Sequence, residues 1–252
     1  MFWAAVSGAQ RTPSRGETGF RENETVYPGP DNLPLLISYF GNPAQKNERL
    51  IATEAGFRKA FTDRLSFDSA VFFNDYQDLL SGEPGAVRVE TDPAPVHFLL
   101  PINIANLEHG ETHGLEIFAN AKLAARWTLS PGYTFLSMHL HRDATSLDTG
   151  TALQTEGTIP NQQAQLRSNV NLPWRWQWTT SAYFVGRLVY PKIPSYTRLD
   201  SNLAWQASER FSLGLVGQNL LQSLHSEYGG GTTTVNASEI RRSAYARITW
   251  RF

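Results

Sequence analysis

Apolar and polar residues alternate with a period of two along most of the chain, and helical periodicity is weak throughout. The last segment is the clearest. Ala244, Ala246, Ile248, Trp250 and Phe252 share one face, opposite Tyr245, Arg247, Thr249 and Arg251. The same split recurs upstream. Thr197, Leu199, Ser201, Leu203 and Trp205 oppose Arg198, Asp200, Asn202 and Gln206. Trp176, Trp178, Thr180, Ala182 and Phe184 oppose Gln177, Thr179, Ser181 and Tyr183. Ala164, Leu166, Val170 and Leu172 oppose Gln165, Arg167, Asn169 and Asn171, and Leu65, Phe67, Val71 and Phe73 oppose Ser66, Asp68 and Asn74. Successive strand residues point to opposite sides of a sheet, so each segment has one apolar side and one polar side. A soluble sheet would bury the apolar side in a core; a membrane barrel would turn it to lipid and the polar side to a wet lumen.

The pattern predicts ten strands, at 2–10, 48–60, 64–78, 102–121, 127–141, 163–172, 176–188, 196–206, 210–220 and 241–252. The connections alternate in length. Short ones fall at Phe61–Arg64, Lys122–Arg126, Pro173–Arg175 and Ala207–Glu209; long ones fall at 11–47, 79–101, 142–162, 189–195 and 221–240. Tight turns on one side and long loops on the other are the pattern of outer-membrane barrels. The expected fold is therefore all-β, an antiparallel transmembrane β-barrel. Six tryptophans (Trp127, Trp174, Trp176, Trp178, Trp205 and Trp250) lie at strand ends beside a short turn or the C-terminus. Trp3 starts the first strand on the same side, so all seven map to one rim, joined by Phe61, Phe211 and Phe252. An interfacial aromatic girdle has this form, because the amphipathic ring settles at the headgroup level. The competing reading is that these rings fill the core of a β-sandwich.

Composition narrows the classes. The net charge of -1 gives no basic footprint for nucleic acid. No apolar run reaches the ~18–20 residues of a membrane helix. The chain has no cysteine, which fits an exported protein without disulfides and a cytosolic one equally. Met1-Phe2-Trp3-Ala4-Ala5-Val6 lacks the basic region and long apolar core of a secretory signal, so the expectation is that the exported protein begins upstream.

Several segments resemble TonB-dependent outer-membrane receptors. Trp3-Ala4-Ala5-Val6-Ser7 leading to Arg11-Thr12-Pro13-Ser14-Arg15-Gly16-Glu17 is similar to a mid-barrel strand and loop entry of that family. Glu54-Ala55-Gly56-Phe57-Arg58 with Ala70-Val71-Phe72-Phe73-Asn74-Asp75-Tyr76 resembles the next hairpin. Asn103-Ile104-Ala105-Asn106 leading to His113-Gly114-Leu115-Glu116 resembles an N-x-x-x…G-x-E strand. Tyr196-Thr197-Arg198-Leu199-Asp200 and Gly217-Gln218-Asn219-Leu220-Leu221 resemble the penultimate hairpin. The chain ends on Trp250-x-Phe252, and it departs from the family at Arg247, where a glycine usually precedes the final aromatic pair.

The resemblance covers nearly all of the chain and implies the C-terminal part of a barrel of ~22 strands. It implies that the N-terminal plug domain, the segment that contacts TonB and the first half of the barrel lie outside this sequence, so TonB would be met only through that region. Ten strands sized for a wide barrel would leave two open edges, which are costly in hydrocarbon. Closure into a small ten-stranded barrel is the alternative. The resemblance further implies residence in the Gram-negative outer membrane, contact with its lipid, and uptake of a scarce nutrient such as a ferric siderophore, another metal chelate or cobalamin. The alternatives for the whole are an autotransporter translocator domain and a soluble β-sandwich binding module. No resident cofactor is expected.

Carried onto this chain, the resemblance makes the long loops and upper lumen wall the binding surface. Tyr27, Tyr39, Phe40, His97, Phe98, His225 and Tyr228 are the loop candidates; the alternative is that they anchor the loops. Arg198 and Asp200, with Glu54, Arg58, Arg247 and Arg251, are expected to form a network of lumen charges or to guide an anionic substrate. No metal site is expected from histidine spacing: His109 and His113 stand ~13 Å apart along one strand, and His139 and His141 ~7 Å apart without an evident third ligand. His225-Ser226 and His141-Arg142-Asp143 lack any recognisable activation, so no enzyme is expected. Gly229-Gly230-Gly231 in a Thr-rich stretch reads as a loop tip.

Overall fold

A computed structural model describes residues 1–229 and 237–252, so Gly230 and Gly231 of the expected glycine tip fall outside the described residues. In chain order the elements are β1 (Phe2–Arg11), α1 (Arg15–Gly19), β2 (Arg21–Pro28), β3 (Pro34–Phe40), β4 (Glu48–Thr62) and β5 (Leu65–Pro84). Then come β6 (Arg88–Glu90), β7 (His97–Ala124), β8 (Trp127–Arg142), α2 (Thr151–Gly157), β9 (Gln162–Leu172) and β10 (Trp176–Val185). The remainder are β11 (Tyr196–Gln206), β12 (Phe211–Gln218), β13 (Leu224–Tyr228), β14 (Ser238–Arg241) and β15 (Ser243–Trp250).

Ten of these strands form one antiparallel wall in the order β1-β4-β5-β7-β8-β9-β10-β11-β12-β15. They are the ten strands that the alternation predicts, and every neighbour in the wall is the next in sequence among them. The wall does not close, and β1 and β15 are its two edges. The short connections hold their places, and the register shows how tight they are: Thr62 pairs with Leu65 and Ala124 with Trp127. At the third, Trp174 and Arg175 both have positive φ, 56° and 62°, although neither is glycine or asparagine. Two consecutive positive φ values twist a hairpin the way its strands twist.

The register makes the two faces continuous across the wall. Ala4, Ala55, Val71, Leu115 and Phe135 align in one row, and Leu166, Ala182 and Leu199 in another, all on the apolar face. On the other face Glu54 pairs with Phe72, Arg58 with Asp68, Ala70 with Glu116, Glu116 with Thr134, and Tyr183 with both Gln165 and Arg198. Among the described residues no second layer covers the apolar face: Trp250 is 71% exposed and Phe252 fully so. That removes the β-sandwich alternative, which needs these rings between packed sheets.

The aromatic rim is present with one correction. Trp176 and Trp205 stack with centroids 5.7 Å apart, and the Trp127 and Trp178 indoles donate to Ser168 and Ser201. Trp3, however, sits on the polar face, lying over Gly56, where a Cβ would come within 2.4 Å of the indole. The apolar face of β1 is carried by Phe2, which packs on Phe57 at 4.8 Å; Phe57 continues to Phe67 at 6.3 Å. Parity decides this: Phe2 and Trp3 are adjacent, so only one can face lipid.

The loop segments hold more structure than expected. The segment read as a loop at 11–47 contains α1, capped by Ser14 and Glu17, and the hairpin β2–β3, whose second strand runs parallel to the start of β7. Strands β5 and β7 run to Pro84 and back to His97, well past the expected ends at 78 and 102. The segment at 142–162 contains α2, and β13 pairs with β14 beyond β12. The few buried apolar side chains, Leu36, Leu99, Ile104 and Ile193 among them, lie mostly here. A wall that faces lipid on one side and water on the other has no interior of its own, so the compact core forms where loop strands lie against it.

Candidate binding surface on the loop layer and lumen wall

The sequence-predicted residues separate into two clusters. The first is built by β2, β3, β6 and the start of β7. Two guanidinium groups lie against the Phe40 ring, Arg21 at 5.3 Å and Arg88 at 5.7 Å from its centre. Arg21 also pairs with Glu90. His97 is 4% exposed; its Nδ1 stands 2.7 Å from the Pro95 carbonyl, which only accepts, so Nδ1–H is the donor. Its Nε2 stands 3.5 Å from Glu90. Phe98 lies between Leu35 and Val89 in the register. Phe40, His97 and Phe98 thus hold the loop strands together. Tyr27 remains 52% exposed, and Tyr39 lines a small cavity with Gly82, Ile102 and Asp148.

The second cluster joins β11 to β13. Arg198 makes two contacts with Asp200, Nε to Oδ1 at 3.0 Å and Nη2 to Oδ2 at 2.8 Å. Asp200 also accepts the Asn219 backbone N–H. Glu227, which the sequence reasoning did not single out, stands 4.0 Å from Arg198 and 2.9 Å from His225 Nε2. The His225 ring stacks on Tyr196 at 4.3 Å. Tyr228 ends β13, 39% exposed. Among the described residues, no hydrogen bond, ion pair or ring contact joins the two clusters. Nor do Arg247 and Arg251 enter an ion pair among those residues. The expected lumen network is therefore local: Arg198 with Asp200 and Glu227, and Arg58 with Asp68 across the β4–β5 hairpin.

Below the loop layer the polar face lines an open cavity of about 690 Å³, bordered by Trp3, Glu54, Arg58, Asp68, Glu116, Gln165 and Tyr183. A wall with charged and amide groups on this side suits water or a polar partner, not lipid.

A third cluster escaped the sequence reasoning. Glu83 accepts from Ser146 Oγ and the Leu147 N–H, and Asp148 accepts from the N–H groups of Gly82, Gly150 and Thr151. These bonds pin the segment before α2 onto β5. Glu108 of β7 lies beneath, 3% exposed, its carboxyl pushed up to about 7 by burial and by the nearby Asp148 and Glu83 charges. The available signal was Asp148-Thr149-Gly150, a short acidic side chain able to cap its own turn.

The wall's order, its two faces and its one-sided loops are those of a segment of large barrel. Residues 1–220 match the family model described as TonB dependent receptor-like, beta-barrel. The chain belongs to the TonB-dependent receptor β-barrel family. Structures of such receptors superpose on nearly the whole of it. The siderophore receptor PirA from Acinetobacter baumannii is 14% identical with a TM-score of 0.71, covering 100% of this chain and 39% of that one. A mutant of the ferric enterobactin receptor PfeA from Pseudomonas aeruginosa is 15% identical with a TM-score of 0.70, covering 99% of this chain and 38% of the receptor. The copper transporter OprC gives 12% and 0.66, with 100% and 38% covered. No curated protein matches the chain. The chain therefore spans under two fifths of the TonB-dependent receptors it resembles. Barrels of this family are outer-membrane transport receptors, not enzymes.

Proposed function

We propose that the chain forms the C-terminal part of the wall of an outer-membrane uptake receptor, with its loop layer contributing to capture of a metal chelate such as a ferric siderophore. Strands β1 and β15 would pair with strands from elsewhere in the receptor, and the polar face would meet a plug domain through which TonB acts. The apolar face would contact outer-membrane lipid. The observation that carries this reading is the pair of aromatic and charged clusters, set on the long-loop side of a wall whose polar face is open to water. Exposed Tyr27 and Tyr228 are the side chains free to stack on a ligand, while Phe40 and His97 hold the frame.

Quenching of tryptophan fluorescence by ferric catecholate and ferric hydroxamate chelates tests the ligand. The chain in detergent micelles is expected to bind one class, and Tyr27→Ala with Tyr228→Ala is expected to weaken it at least tenfold. Equal binding by the double variant would remove the loop layer from the site. Uptake needs the coupling parts, so this chain alone should not restore growth on a ferric chelate to a receptor-deleted cell; restored growth would overturn the division of labour.

A further inference from the structure

Spacing along a single strand put His109 and His113 out of reach of one ion and left His139 and His141 without an evident third ligand, but the β7–β8 hairpin brings histidines together across strands. His109 is directly opposite His141, with ring centres 5.7 Å apart. His113 and His139 lie one step nearer the wall's centre, with ring centres at 5.9 Å. All four have the parity of Leu115, Ile117 and Phe135, so they stand on the outward face at the loop end of the hairpin, above the apolar belt. Glu108 and Arg142, the next pair in the register, have the other parity; Arg142 donates to the Asp148 carbonyl and takes no part.

The upper pair has a feature the lower one lacks. His109 Nδ1 is 3.1 Å from Asp143 Oδ1. A carboxylate on one ring nitrogen fixes the tautomer, orients the ring and raises the basicity of the other nitrogen. It leaves His109 Nε2 as the nitrogen available to a ligand, with the His141 ring centre 5.7 Å away. In the lower pair, His139 Nε2 is already 3.0 Å from Ser137 Oγ.

We propose that His109 and His141 bind a divalent transition-metal ion on the outer rim of the barrel, with Asp143 positioning His109 and water completing the coordination. Imidazole suits Zn²⁺, Ni²⁺ and Cu²⁺, whereas Ca²⁺ and Mg²⁺ seek oxygen donors. Zinc–nitrogen bonds of ~2.0–2.1 Å place two ligating nitrogens about 3–4 Å apart. Facing side chains of an antiparallel pair, with Cβ atoms ~4.5–5.5 Å apart, reach that distance by χ rotation alone. The ion would tie the ends of β7 and β8 together and hold the start of the 143–157 segment through Asp143. The site is separate from the loop clusters proposed to take the chelate.

The test uses the tag-free full chain in detergent micelles, with strand content followed by circular dichroism. Zn²⁺ titration by calorimetry at pH 7.5 should show a site that His141→Ala weakens at least tenfold and that Asp143→Asn weakens about tenfold. One equivalent of Cu²⁺ should give an electron paramagnetic resonance spectrum with two nitrogen donors, reduced to one in His141→Ala. Wild-type affinity in His141→Ala, or an equal loss in His113→Ala, would overturn the assignment. If His141→Ala loses strand content, Asp143→Asn and the Cu²⁺ spectrum of the unaltered chain decide: unchanged affinity in the first, or fewer than two nitrogens in the second, refutes the pair.

Discussion

At the scale of single residues, Glu108 is the group most at odds with its surroundings. It is buried beneath the 143–157 segment with Asp148 and Glu83 nearby, and burial is the largest of the effects holding its proton on. The ordinary carboxyl pKa is ~4.3, so the folded value of about 7 is raised. A raised folded pKa means that the folded state binds the extra proton. Its stabilising effect is full below pH ~4.3 and is lost as pH rises through about 7. The 143–157 segment should therefore be protected from hydrogen exchange at pH 5.5 and open more often at pH 8. Glu108→Gln should keep it protected at both, and pH-independent exchange in the unaltered protein would contradict the account. Such residue-scale detail was only partly legible. Tyr27, Tyr39 and Phe40 could be placed in loops by composition, but Phe40 became a frame residue only once β2, β3 and β6 brought Arg21 and Arg88 to its ring. Glu227 and Glu108 carry no local signature, because their roles come from partners distant in sequence.

At the scale of elements, period-two alternation was the dependable signal, since a lipid-facing and a water-facing side demand it from every wall strand. It located all ten wall strands and their register parity. It failed in the loop layer, where β2, β3 and β13 pack against neighbours on irregular faces, and where β5 and β7 continue past the point at which alternation with lipid stops mattering. Val71 and Ala70 test the parity directly. Val71 lies on the apolar face of β5, 52% exposed, and Ala70 borders the polar cavity opposite Glu116. An arginine at position 71 faces hydrocarbon and should cost about 2–4 kcal/mol near the bilayer midplane. An arginine at position 70 meets water and the Glu116 carboxylate and should cost less than ~0.5 kcal/mol. Reversible unfolding of Val71→Arg and Ala70→Arg in lipid vesicles measures both; equal costs, or the reverse order, would mean that the faces are assigned the wrong way round.

At the scale of the molecule, the decisive feature is that the wall stays open. Among the described residues, strand β1 pairs only with β4 and β15 only with β12, so each edge presents unpaired backbone groups. In hydrocarbon such groups cost several kcal/mol each, so the edges must find partners. Two outcomes satisfy them: pairing with strands from elsewhere in a larger barrel, or closure of these ten into a narrow one. Closure would change the shear and tilt of every strand, because diameter and strand number are linked. It would also shrink the cavity of about 690 Å³ that the polar face now borders. The absence of native cysteine makes the choice measurable. Cysteines placed at Ala4 and Ala246 sit on opposite edges, on the same apolar face. In an open wall they are too far apart to bond within one chain, since a disulfide needs Cα atoms within about 7 Å. The Ala4→Cys/Ala246→Cys chain should therefore oxidise in micelles only between molecules, in proportion to concentration. A register series moving the second cysteine to Ala244 and Ile248 covers neighbouring staggers of a closed barrel. Concentration-independent disulfide formation within single chains at any of the three would show that the ten strands seal themselves, and the wall would then be a small barrel in its own right.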